Sequence, residues 1–328
     1  MKIMLLTAGQ GTRLRPHTER IPKPAIPFLN MPLFLYSVNL LAELSPRQLV
    51  FNTFHLAEEL KKTVLSSHLQ QKITFSDETI LLGSGGGIGF ARDHFQEDPD
   101  FILVNGDEVI IPKENQQLLK AMEQHRKSRA IATILVTDHA GVGTKFGGVW
   151  LDSDNNVLGF GKTPITGAIR AKHFIGVIIF SKEIFKYIPQ GESNILYDNI
   201  MSAIRQGSIC KTFDFKCEWF ETGSEKDFLH ATENCLKIIS RNNEGADYLQ
   251  KMLEIYAPDS KLIIQNDGIF LVDNSSEVIM SQLSGNVIVG HHSQLSPACQ
   301  IFNSVIGHQI TVTRQKNGVT VQDKLILF

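Results

Sequence analysis

Lys2-Ile3-Met4-Leu5-Leu6-Thr7-Ala8-Gly9-Gln10-Gly11-Thr12-Arg13-Leu14-Arg15-Pro16 joins an apolar run to a glycine loop rich in small and basic residues. The apolar run is too short for an ordinary helix and ends at once in glycine. It reads as a strand buried on both faces, the first of a parallel sheet. Gly9 and Gly11 let the backbone approach a ligand and turn its N–H groups toward it. Arg13 and Arg15 add positive charge, and Pro22-Lys23-Pro24 braces a lysine between two residues of fixed φ. Such a segment beyond the C-terminal end of a strand suits a polyphosphate, because open α/β sheets bind ligands at that edge.

Two familiar phosphate loops are excluded by spacing. The Walker pattern requires four residues between its glycines and a Gly-Lys-Ser/Thr ending, and neither is present. The dinucleotide fingerprint requires a third glycine where this chain has Leu14. It also needs an acidic residue about 20 positions further on, and Pro27 to Leu35 contains none. An oxidoreductase using a dinucleotide is disfavoured on both counts.

Working outward, the chain alternates strand-like and helix-like segments. Gln48 to Asn52, Lys72 to Ser76, Phe101 to Val104 and Ala130 to Val136 read as strands. So do Gly147 to Leu151, Val157 to Lys162 and His173 to Phe180. Pro32 to Leu44, His55 to His68, residues 114 to 127, Glu192 to Gln206 and Ser224 to Ser240 have helical spacing. The expected fold is α/β, a Rossmann-like, mostly parallel sheet covered by helices. From about Ile288, apolar residues recur at six-residue intervals (Val289, Leu295, Ile301), which suggests hexapeptide-repeat coils, with ordinary β-hairpins as the alternative. A short C-terminal β domain of left-handed β-helix type is therefore expected. The boundaries read as 1–240 for a catalytic domain, 241–260 for a helical connector and 261–328 for the β domain.

Composition narrows the field. The chain has 328 residues, 42% of them hydrophobic, and a net charge of −2, so it can bury a large core and offers no basic face to nucleic acid. Cys210, Cys217, Cys235 and Cys299 are widely spaced without a Cys-x-x-Cys pair, so buried reduced thiols are expected rather than zinc or a disulfide frame. No apolar run reaches membrane-spanning length and the first is too short for a signal peptide, so a cytoplasmic protein is expected.

The whole run Ala8-Gly9-Gln10-Gly11-Thr12-Arg13-Leu14-Arg15-Pro16-His17-Thr18, then Pro22-Lys23-Pro24 and Asn30-Met31-Pro32-Leu33, resembles the signature of the sugar-1-phosphate nucleotidylyltransferases. Mannose-1-phosphate guanylyltransferases and N-acetylmuramate-1-phosphate uridylyltransferases belong to that family. The resemblance extends over roughly residues 1 to 240. It implies transfer of a nucleotidyl group from a nucleoside triphosphate to a sugar 1-phosphate, with Mg²⁺ and release of pyrophosphate. Ala8, Gly9, Gly11, Thr12 and Arg13 would hold the triphosphate, and Arg13, Lys23 and Asp107 would be catalytic. Asp107, following the apolar run Phe101 to Val104 and Gly106, matches a metal aspartate; its alternative is a turn residue bonding its own backbone. Glu221, in Trp219-Phe220-Glu221-Thr222-Gly223, falls where the family has a second metal aspartate, or it caps the helix near Ser224. Gly85, Gly86 and Gly87 resemble a base-binding segment, with a flexible loop as the alternative.

Lys162 would neutralise the sugar phosphate, although the family's adjacent glutamate is Gly161 here. Gly176 matches a glycine lining the sugar pocket, or it eases strand packing. Asp198 reads as a surface residue, and Glu108 is expected to point away from the metal. Guanylyl transfer to mannose 1-phosphate is slightly favoured over uridylyl transfer to a muramate sugar. Glu221, Gly161 and the short tail leave a second reading open, a catalytically weak, sugar-nucleotide-binding regulatory relative. The C-terminal coils would serve contact between copies of the chain.

Overall fold

The computed structural model describes residues 1–241, 243–266, 268–313 and 319–328; Asn242, within the expected helical connector, lies outside them. Two compact units are present. One comprises Met1–Gly9 and Ser37–Trp219, the other Gln10–Tyr36 and Phe220–Phe328, so the chain passes between them three times, the first time inside the glycine loop.

The first unit is built on β1 (Lys2–Leu6), whose Ile3, Met4 and Leu5 are fully buried. It lies between β2 (Gln48–Thr53) and β4 (Asp100–Asn105), parallel to both, and β3 (Lys72–Asp77) continues the parallel set beyond β2. On the other side of β4, the long strand β8 (Arg170–Ser181) runs antiparallel to it. The remaining strands are β5 (Ala132–Thr137), β6 (Gly148–Leu151), β7 (Val157–Gly161) and β9 (Cys210–Asp214). β5 pairs with β8 and carries β9, while β6 and β7 extend from another part of β8. The expected parallel sheet is therefore the half centred on β1, and antiparallel strands complete it. Phe95, Phe101, Phe180 and Phe185 fill the core with ring contacts of 4.7 to 5.5 Å (Phe95–Phe101, Phe101–Phe180, Phe101–Phe185). Helix α1 (Ala57–Ser66) buries Leu60 and Val64, one turn apart.

Helix α2 (Gly83–Phe90) follows β3, and α3 (Gln117–Ser128) buries Leu118, Ala121, Met122 and His125 at helical spacing. The segment read as a helix from Glu192 to Gln206 is a wider π-type turn, Ile195–Ile200, before a short α-turn, Met201–Arg205. The wide turn starts at Asn194, whose side chain accepts the N–H groups of Leu196 and Tyr197.

In the second unit, residues 10–36 form short 3₁₀ turns at Thr12–Leu14, His17–Glu19 and Lys23–Ala25. Helix α4 (Glu225–Ile239) starts at the Ser224 cap, whose side chain accepts the Asp227 N–H, and α5 (Glu244–Tyr256) starts at the Asn243 cap. Phe28 packs edge-on against Tyr36 (5.4 Å) and Phe228 (5.2 Å). The C-terminal strands begin as a hairpin, β10 (Ser260–Gln265) with β11 (Gly268–Asp273). Parallel coils follow. Gly268 pairs with Gly285, Ile288 with Val305 and Gln294 with Thr311, each partner 17 positions later in the chain. In the last coil the offset widens to 20, from Cys299 to Val319 and from Val305 to Leu325. Val289, Leu295 and Ile301, the residues that recur in the sequence, all point into the coil core. The tail thus combines a hairpin with the parallel coils that follow it. All four cysteines are free and buried.

Candidate active site

The parallel register aligns the C-terminal ends of β1 and β4, with Leu6 opposite Asn105. Gly106 donates its N–H to the Leu6 carbonyl (2.9 Å), and a Cβ at Gly106 would stand 2.4 Å from Cγ2 of Thr7. Glycine is required at that crossing. It lets the turn carrying Asp107 lie against the start of the phosphate loop. Asp107 is half-buried there.

Thr7 is fixed by a buried polar chain that the sequence did not reveal. Its N–H donates to Oδ1 of Asn52 (2.7 Å) and its hydroxyl to the Asn52 carbonyl. Nδ2 of Asn52 donates to Oε1 of Glu78 (2.7 Å), whose other oxygen accepts the Leu82 N–H (3.0 Å). Thr7, Asn52 and Glu78 are all buried. A buried network satisfied in this way fixes the loop's entry angle. The only local hint was a polar residue at the end of an apolar strand.

Glu108, set aside in the sequence reading, is also fixed. Nδ2 of Asn105 donates to Oε1 and Nε1 of Trp219 to Oε2, each at 2.8 Å. Gly176 makes room for it. Its φ is +85°, and a Cβ there would meet Cγ of Glu108 at 2.6 Å. Trp219 lies 4.1 Å from His173, centroid to centroid, and His139 and Phe146 surround the pair. Neither ring nitrogen of His173 has a partner among the described residues, and burial pushes its pKa down to about 4. Lys162 is exposed directly after β7, beside Gly161.

Gly85, Gly86 and Gly87 are buried within α2 rather than displayed on a loop. The N–H groups of Gly85 and Gly86 are bound to the Ser193 carbonyl (2.8 and 3.3 Å). A Cβ would meet Asn199 Oδ1 at 1.9 Å from Gly85, the Gly191 carbonyl at 2.3 Å from Gly86, and Glu78 Oε1 at 2.6 Å from Gly87. They are packing glycines here. Contact between these two amides and a nucleobase would require the Ser193 bonds to open.

In the second unit, Gly11 adopts φ 61° and starts the turn Thr12–Leu14; its carbonyl accepts from the Leu14 N–H (2.9 Å) and the Thr18 hydroxyl (3.0 Å). Lys23 is buried, at 9% exposure, and its Cβ stands 3.2 Å from where a Gly11 Cβ would be. Arg13 reaches Glu221 through Nη2 and Oε1 at 3.1 Å.

A hard divalent cation fits Asp107 as a single carboxylate donor. Among the described residues no group of three or more His, Cys, Asp or Glu is placed to hold a metal. An ion at Asp107 would therefore take most of its ligands from phosphate oxygens and water, the usual manner of Mg²⁺. No helix among the described residues is long and apolar enough to cross a membrane.

The turn carrying Asp107 packs on Leu6 and Thr7 at the C-terminal edge of a parallel sheet, the edge where open α/β sheets bind nucleotides and other ligands. The chain belongs to the nucleotidyl transferase family, whose sequence model matches residues 2–238. The resemblance read from the loop is thereby borne out. A UTP–glucose-1-phosphate uridylyltransferase of Synechocystis is 26% identical over 98% of this chain and 91% of its own length. A mannose-1-phosphate guanylyltransferase catalytic subunit beta of Drosophila pseudoobscura is 28% identical over 73% of this chain, and the match spans 63% of the fly protein. The fold is shared with the inositol-1-phosphate CTP transferase of T. maritima, with a TM-score of 0.59 and 20% identity over 77% of this chain and 96% of that one.

Proposed function

We propose that this chain transfers a nucleotidyl group from a nucleoside triphosphate to a sugar 1-phosphate, releasing pyrophosphate. The observation that carries the reading is the packing of Thr7 against Gly106, which sets the start of the phosphate loop beside Asp107. A sugar phosphate is already an anion at neutral pH, so its oxygen attacks the α-phosphorus without a general base. The barrier lies in bringing polyanions together in line, and positioning with electrostatic stabilisation lowers it.

In this reading the backbone from Ala8 to Thr12 and the Arg13 guanidinium hold the triphosphate. Lys23, braced by Pro22 and Pro24, stabilises charge on the reacting phosphates, and Lys162 attracts the acceptor phosphate as a point charge. Gly176 shapes the acceptor side by admitting Glu108. Asp107 would hold Mg²⁺, which supplies neutralisation of the α-phosphate when bound. Residues 1–240 would form the catalytic domain, with 241–260 as connector and 261–328 as an accessory β domain.

Guanylyl transfer to mannose 1-phosphate is supported by the guanylyltransferase relatives. Uridylyl transfer to glucose 1-phosphate is the second reading, supported by the Synechocystis relative, whose match runs through the C-terminal coils as well. Pyrophosphate release with Mg²⁺, crossing GTP, UTP, dTTP, ATP and CTP against a panel of sugar 1-phosphates, tests both. One productive pair is expected. Silence across the panel, in folded protein that binds a nucleotide sugar, would replace the enzyme with a regulatory binder.

A further inference from the structure

Glu221 occupies the place of a second metal carboxylate, but its surroundings give it a different task. Its Oε1 lies 3.1 Å from Nη2 of Arg13, and the partners differ in exposure: the glutamate side chain is 17% exposed and the arginine 66%. The carboxylate is the anchor and the guanidinium the projecting arm. The pair lies across the backbone of Gly223. A Cβ at that position would stand 2.2 Å from Oε1 of Glu221, 2.4 Å from Nη2 and 2.6 Å from Cζ of Arg13. Any side chain at 223 would therefore expel the pair, so the glycine serves this ion pair directly.

We propose that Glu221 is a positioning residue for Arg13 and not a metal ligand, a proposal that rests on the nucleotidyl-transfer reading. Arginine carries five N–H donors in a rigid fork, and one nitrogen spent on Glu221 leaves donors to face the triphosphate. A free arginine side chain loses much of its rotamer freedom when it is ordered. Glu221 imposes that order before nucleotide arrives. Aspartate, one methylene shorter, would not span the distance with the backbone unchanged. A surface ion pair of this kind contributes little to folding, so the effect belongs to nucleotide binding rather than to stability.

The test compares wild type, Glu221→Gln, Glu221→Asp, Arg13→Ala and Arg13→Ala/Glu221→Gln. Affinity for GTP and UTP is measured by calorimetry in EDTA, and the Mg²⁺ concentration for half-maximal turnover is measured separately. Both Glu221 variants should weaken metal-free nucleotide binding about two- to tenfold, the cost of immobilising one long side chain. Arg13→Ala and the double variant should bind alike, and half-saturating Mg²⁺ should stay within about twofold of wild type. Unchanged or tighter binding in EDTA by both Glu221 variants would overturn the proposal. So would a tenfold rise in half-saturating Mg²⁺ for Glu221→Gln, or a fall for Glu221→Asp. Absence of binding by the wild type to any of GTP, UTP, dTTP, ATP and CTP, with and without Mg²⁺, would overturn the functional reading itself, and this proposal with it.

Discussion

Two glycine-rich segments of this chain look alike in sequence and differ in use. Gly9 and Gly11 flank the loop after β1, and nothing lies within 4 Å of where a Gly9 Cβ would stand. Gly83 to Gly87 open helix α2, where every added Cβ collides with the Ser193, Asn199, Gly191 or Glu78 groups, and where two N–H groups already serve one carbonyl. At Gly9 there is open space beside the backbone, whereas Gly11 and the α2 glycines are hemmed in by neighbours. Glycine density alone does not separate these cases. The destination of the N–H groups does.

The largest expected effect breaks the comparison on the ligand side. Lys23→Ala should cost about 10²–10³ in kcat, the range seen when one electrostatic stabiliser is removed, with the circular dichroism spectrum of the folded protein retained. Full activity in a pyrophosphate assay would remove Lys23 from the mechanism. On the packing side, Gly85→Ala forces a methyl onto the Asn199 side chain, 1.9 Å away. Overpacking of this kind costs about 1–3 kcal/mol, to be read as a lower denaturation midpoint. Gly9→Ala sharpens the contrast. Its stability should stay within about 0.5 kcal/mol of wild type, while on the proposed role of the loop the KM for nucleoside triphosphate rises about tenfold, or 1.4 kcal/mol, because the methyl would stand in the open space assigned to phosphate.

The smallest effect is set by imidazoles. Burial lowers the pKa of His173 and of His308 to about 4. An unfolded histidine titrates near 6.5, so below that pH the unfolded chain binds protons that the folded one refuses. The stability these residues contribute is complete above about pH 6.5 and is lost progressively as pH falls toward 4. A thermal melt at pH 5 should lie below that at pH 7.5, and His308→Asn should narrow the gap by a few degrees.

Much of this was legible in the sequence because it was local. An apolar pentapeptide ending in glycine marked β1, Phe101 to Val104 marked β4 and placed Asp107 at its end, and the recurrence of Val289, Leu295 and Ile301 marked the coils. What escaped depends on partners far along the chain. Arg13 meets Glu221 across 208 positions and Glu108 meets Trp219 across 111, and neither encounter leaves a periodic trace. The packing role of Gly85 to Gly87 escaped for the same reason, since Ser193 and Asn199 define it. The wide turn at Ile195–Ile200 has nearly helical spacing, so periodicity could not tell it from an α-helix.

The most direct test of where nucleotide binds is amide hydrogen exchange on the unmodified protein, with and without the triphosphate that supports turnover, in Mg²⁺. Exchange should slow across residues 8–15 and stay unchanged across 83–90, where the Ser193 carbonyl already holds two amides. New protection confined to 83–90, with 8–15 unaltered, would place the nucleotide on the other glycine segment and contradict the account.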